Sequence, residues 1–122
     1  MLTLGARQYR APFINARLAT VDALRSTNLE FTTFHNGPMI DFFGLPGLGS
    51  YLNPITLWFD LANKRATIPG TGDDMAAFTY SLDVAKFVVA ALDLPRWEDE
   101  SLIYGDKLTF NDILKLYEAR GA

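Results

Sequence analysis

The chain has 122 residues, 49% of them hydrophobic and 20% charged, which suits one folded domain with a sizeable core. Its 14 acidic residues against 11 basic ones leave a net charge of −3, which argues against a nucleic-acid partner, since such a groove needs a basic field. Cysteine is absent, which excludes disulfides and cysteine-based metal sites and is compatible with a cytoplasmic protein; no metal is expected. No stretch reaches the roughly 18 apolar residues a bilayer crossing needs, and the first seven residues lack the apolar core of a secretory signal, so no membrane partner is expected.

Residues 1–11 show no period and read as an irregular lead-in. Pro12 fits the first turn of a helix, and Ile14, Leu18, Val21 and Leu24 follow at the spacing of one amphipathic face. Ser26, Thr27 and Asn28 end that helix, and residues 29–35, rich in Phe and Thr, predict a strand. Residues 37–50, punctuated by Gly37, Pro38, Gly44, Pro46, Gly47 and Gly49, predict a long aromatic-bearing loop. The pattern over 52–62 fits either a short helix or an irregular apolar segment. Short strands follow at 65–69 and 77–80, with a turn at 70–74 between them. Ser81 is placed to cap a helix over 81–93 whose apolar face is Leu82, Ala85, Val88, Val89 and Leu92. A strand at 102–104 precedes a last helix, for which Thr109 and Asp112 form a capping-box signature and Phe110, Ile113, Leu114 and Tyr117 the inward face. Gly121 stands where a helix C-terminal glycine is expected.

Helices alternating with strands indicate an α/β layer fold. The 29–35 strand is apolar on both faces, as strands inside a parallel sheet are, yet the chain has few other strands long enough to flank it. That counts against these 122 residues forming a self-sufficient sheet.

Several pieces, in this order and spacing, carry a resemblance: Asp22-Ala23-Leu24-Arg25-Ser26-Thr27, Leu29-Glu30-Phe31-Thr32, Asn36-Gly37, Ile68-Pro69-Gly70, Asp83-Val84-Ala85 and Gly105-Asp106-Lys107-Leu108-Thr109. Together they resemble the middle and C-terminal part of NmrA-like and isoflavone-reductase-like proteins, atypical short-chain dehydrogenases/reductases, in the branch abundant in filamentous fungi. The resemblance implies an α/β fold: a partial Rossmann-type sheet with the C-terminal substrate-side region, as one NmrA-like domain over 1–122, lacking the N-terminal half that carries the phosphate loop. It implies NADP or NAD as cofactor. The candidate phosphate turns here, Gly44-x-x-Gly47-x-Gly49 and Gly70-x-Gly72, neither follow a long buried strand nor open a helix as that loop must, and Asp73 and Asp74 would repel a pyrophosphate.

The resemblance places Arg17 where catalytic relatives carry a lysine facing the nicotinamide ribose or substrate; an arginine there stays protonated and cannot relay a proton by losing one, and a solvated helix arginine is the plainer alternative. His35, the single histidine, ends the 29–35 strand, where open α/β sheets receive ligands. With Asn36, Gly37 and Pro38 it forms the expected cofactor contact, against the alternative of an ordinary turn. Phe42, Phe43 and Trp58 are the expected substrate wall, or else a cover for the core. The resemblance implies the substrate-side part of an NAD(P)H-dependent oxidoreductase acting on a small organic substrate, with aromatic compounds among the options. The alternatives are a non-catalytic dinucleotide-sensing or protein-binding regulator, and an inactive truncated fragment. An exposed sheet edge would also bring a protein partner or self-association.

Overall fold

A computed structural model describes residues 12–44 and 47–121; the expected lead-in at 1–11 lies outside the described residues. Helix α1 (Pro12–Arg25) starts at its proline as expected. Ile14, Val21 and Leu24 are half-buried, but Leu18 on the same stripe is exposed, and no residue of α1 is fully buried. The hydroxyls of Ser26 and Thr27 donate to the carbonyls of Ala23 and Leu24, satisfying groups that the ending helix leaves open.

The strand expected over 29–35 is shorter: β1 covers Thr33–His35 alone, and Leu29 is exposed. The reason is pairing. Among the described residues β1 has one ladder partner, the parallel β5 (Glu100–Leu102), with Thr33 opposite Glu100 and His35 opposite Leu102. A strand buried on both faces needs neighbours on both edges, and residues 29–32 have no ladder to join. β5 itself begins two residues before the expected 102–104, while Ile103 N–H continues the contact by donating to the His35 carbonyl at 3.0 Å.

The loop expected over 37–50 contains a one-turn helix, α2 (Asp41–Gly44). Segment 52–62 is irregular until β2 (Phe59–Asp60), which forms a hairpin with β3 (Arg65–Ala66). Asp60 closes that hairpin by accepting from both the backbone and the side-chain nitrogens of Asn63. β4 (Ala76–Phe78) pairs antiparallel with β6 (Asp106–Leu108). The described residues therefore form a mixed α/β structure of three separate two-stranded ladders, with one isolated parallel bridge between Met39 and Thr79, instead of one continuous sheet.

Helix α3 (Ser81–Ala91) corrects two expectations. Tyr80, not Ser81, is its N-cap and contributes no side-chain bond; the cap comes from Asp41, which accepts from Ser81 N–H at 2.9 Å. The stripe expected to face inward instead faces out: Leu82, Val88, Val89 and Leu92 are exposed, the last two at 65% and 66%. Ala91 is the buried residue, with Val84 half-buried on the same side. α3 is apolar around most of its circumference, so periodicity could not select the side that found a contact. Helix α4 (Phe110–Ala119) matches expectation. Thr109 and Asp112 form the reciprocal capping box, Phe110 and Ile113 are buried, and Gly121 follows in the left-handed region at φ +79°. Phe110, Ile113 and Phe78 make the core, with Ile40, Phe43, Trp58, Phe59 and Tyr117 packed against it. Among the described residues no helix is long and apolar enough to cross a membrane.

Candidate functional site

The parallel pair β1–β5 delivers His35 to the C-terminal ends of its strands. The imidazole is about half exposed, and its Nε2 lies 3.8 Å from a Glu100 carboxylate oxygen on the neighbouring strand. The next three residues are stitched to β4 by Thr79, which is fully buried. Its hydroxyl donates to the Asn36 carbonyl at 2.8 Å, its N–H to the Pro38 carbonyl at 3.2 Å, and its own carbonyl accepts from Ile40 N–H at 3.0 Å. Gly37 sits at φ +63°, where an added Cβ would fall 1.9 Å from the Ala77 carbonyl oxygen. Here the glycine is required by one backbone lying against another. The Asn36 side-chain nitrogen donates to the Gly37 carbonyl at 2.8 Å, leaving its amide oxygen and the imidazole as the groups best placed to meet a ligand.

The expected substrate wall divides. Phe43 and Trp58 stack with ring centroids 5.5 Å apart and planes 5° from parallel. Both then meet the core: Phe43 contacts Phe78 edge-on at 5.5 Å, and Trp58 contacts Phe110 at 5.6 Å. Phe42 lines a groove with Pro54, Ile55 and Leu61, which Phe43 also borders. Phe43 also lines a cleft of about 280 Å³ between α4 and the β4–β6 ladder, together with Ile40, Phe78, Leu108 and Tyr117. Arg17 remains exposed on α1, with no ion pair among the described residues. The structure thus gathers residues 35–38 at one strand end and Phe43 with Trp58 on the aromatic core.

Two buried polar residues escaped sequence reasoning. Asp41, fully buried, accepts from the hydroxyls of Ser50 and Ser81, each at 2.5 Å, and from Ser81 N–H. Burial pushes its carboxyl up, but the bonds from Ser50 and Ser81 outweigh this and hold it below the ordinary 3.8. It thereby ties α2 and the segment at Ser50 to the start of α3. Thr79 is the other, and nothing in a lone Thr between Phe78 and Tyr80 marks it as a staple. Tyr117 donates to the Phe43 carbonyl at 2.5 Å, and burial raises its phenol above the ordinary 10.0.

The glycine turns do not fit a pyrophosphate. Gly72 is buried, and a Cβ there would lie 2.6 Å from both Asn111 Oδ1 and Ile68 Cγ2. Its carbonyl accepts from Asn111 N–H, while the Asn111 side chain donates to the Thr71 carbonyl and to Asp73. The turn is closed by its own chain and carries Asp73 and Asp74. Gly44 and Gly49 are likewise engaged, by Leu48 N–H and the Tyr80 hydroxyl.

The chain belongs, as a part, to the NmrA-like and isoflavone-reductase-like family of oxidoreductases. It is 33% identical over 105 residues to "Oxidoreductase BOA1" of Botryotinia fuckeliana, a match covering 86% of this chain and 35% of that protein. "Oxidoreductase swnR" of Arthroderma benhamiae is 33% identical over 99 residues, covering 77% of this chain and 32% of that protein. "Isoflavone reductase homolog IRL" of Zea mays is 33% identical over 81 residues, covering 64% of this chain and 25% of that protein. The chain spans about a third of the length of the first two of these curated relatives. No protein-family model and no solved structure matches it.

Proposed function

We propose that this chain supplies the substrate-side part of an NAD(P)H-dependent oxidoreductase with a Rossmann-type sheet, acting on a small organic substrate. One observation carries the reading: a parallel strand pair ends at an exposed histidine and a turn pinned to a neighbouring strand. Ligands of open α/β sheets bind outside the carboxyl ends of such strands. The relatives named as oxidoreductases support the same direction. Because the glycine turns do not fit a pyrophosphate, the phosphates in this reading are held by residues other than those described. His35 and the Asn36 amide oxygen are the polar contacts this reading assigns to the ligand, while Phe43 and Trp58 are taken up by the aromatic core. In this reading the protein is cytoplasmic, with which the absence of cysteine is compatible.

Among the described residues β1 and β5 each have one edge without a ladder partner, which extends the proposal to association. Unpaired parallel edges take up further strands, so the isolated chain is expected to self-associate or to add strands from a protein partner. A second reading, a non-catalytic protein of the same family that senses dinucleotide or binds a protein, is favoured by Arg17, whose guanidinium cannot relay a proton by losing one.

Titration of NADPH, followed by nicotinamide fluorescence, tests both readings in the chain alone and in a version extended to the length of its relatives. Turnover of an aromatic ketone or enone by the extended protein, lowered by His35→Ala, is the expected result. Tight binding of about 10 μM or better without turnover across such substrates favours the second reading, and absence of binding by the extended protein overturns both.

A further inference from the structure

We propose that the cleft between α4 and the β4–β6 ladder binds a small apolar monocarboxylate. The cleft measures about 280 Å³, near the lower end of the ~300–1,000 Å³ usual for ligand sites, which limits the occupant to roughly a two-ring skeleton. Its floor is the buried Phe78 and Ile113, and Phe43, Leu108 and Leu116 wall it. The Tyr117 hydroxyl is committed to the Phe43 carbonyl, so the interior offers a ligand apolar contact and no free donor of its own.

The polar end of a ligand would therefore be met at the rim, where Asp106 and Arg120 stand. Among the described residues they pair neither with each other nor with another charge. Asp106 Oδ1 already accepts from Lys107 N–H at 2.8 Å. The Arg120 guanidinium, on an exposed residue, has no hydrogen bond or ion pair among the described residues, and its forked donors match a carboxylate. The carbonyl end of α4 and the Asp106 carboxylate lie at the same rim and both oppose an anion, so the preference for an acid rests on the guanidinium contact alone. Leu116 remains 57% exposed in the open cleft and would be covered by an occupant. This inference stands apart from the oxidoreductase reading, since binding is measured without a nicotinamide.

The test uses the full chain with labelled Ile and Leu methyl groups, titrated in the NMR spectrometer with 2-naphthoate and, separately, with the neutral 2-naphthamide. Saturable shifts at Ile113, Leu108 and Leu116 are expected, with a Kd for the acid of about 0.1–1 mM and binding of the amide about tenfold weaker. Arg120→Gln should erase that difference. Leu116→Trp, at an exposed position that the fold tolerates, should fill the cleft and abolish binding of both probes while methyl signals elsewhere stay in place. Equal affinity for acid and amide, an unchanged preference in Arg120→Gln, or no saturable shift at the cleft methyls overturns the proposal.

Discussion

Around α4, side chains close on one another: Phe78, Phe110 and Ile113 are each 7% exposed or less, and Phe43, Trp58, Phe59 and Tyr117 pack rings against them. Around α3 and the β1–β5 pair the chain leaves comparable side chains in water, with Val89, Leu92 and Leu102 at 65%, 66% and 78% exposure. The pairing differs in the same way. The β4–β6 ladder is antiparallel and backed by a packed helix, whereas β1–β5 is parallel, and parallel strands are normally buried on both faces. The first region satisfies itself with local contacts. The second leaves its apolar side chains in water among the described residues.

This contrast can be broken by mutation, starting where the effect should be greatest. Phe110→Ala removes the centre of the aromatic cluster and should cost about 3–5 kcal/mol in urea denaturation, enough to unfold a marginal domain. Gly37→Ala pushes a methyl into the Ala77 carbonyl at a positive φ, so a loss of about 3 kcal/mol is expected, together with altered Thr79 and Ile40 amide signals, because the turn between the two regions must move.

Asp41→Asn should cost about 2 kcal/mol, since it weakens three bonds in a buried site. It should also change the acid limb of the stability profile. The folded carboxyl titrates below its ordinary 3.8, so its contribution is full above that value and is lost as pH falls through the lower folded value. Urea midpoints measured from pH 6 down to about 3 should fall more gently in Asp41→Asn than in the natural chain. A parallel fall would show that Asp41 does not carry the acid response. At the small end, Leu92→Ser on the open face of α3 should change unfolding free energy by no more than about 0.5 kcal/mol and reduce self-association in sedimentation velocity. A large loss there would mean that this face is already packed.

The helices were largely legible. Pro12, the Thr109–Asp112 box and Gly121 act through neighbours a few residues away, and the structure places them as read. The strand at 29–35 and the inward face of α3 were misread, because each depended on a partner that a local pattern cannot supply. Within the candidate site, His35 stands at a strand end as expected, and Phe43 and Trp58 come together, although on the core. Asp41 and Thr79 could not have been found, since their partners lie 40 and 43 residues away in the chain.

By itself the sequence determined the α/β alternation, the positions of α1, α3 and α4 to within a turn and the family to which the chain belongs, because capping, periodicity and motif order are short-range properties. Only the tertiary structure decided which apolar face is buried, which carboxylate caps α3 and why Gly37 must be glycine. Those outcomes depend on which distant surfaces meet, and burial and backbone approach are set by that meeting.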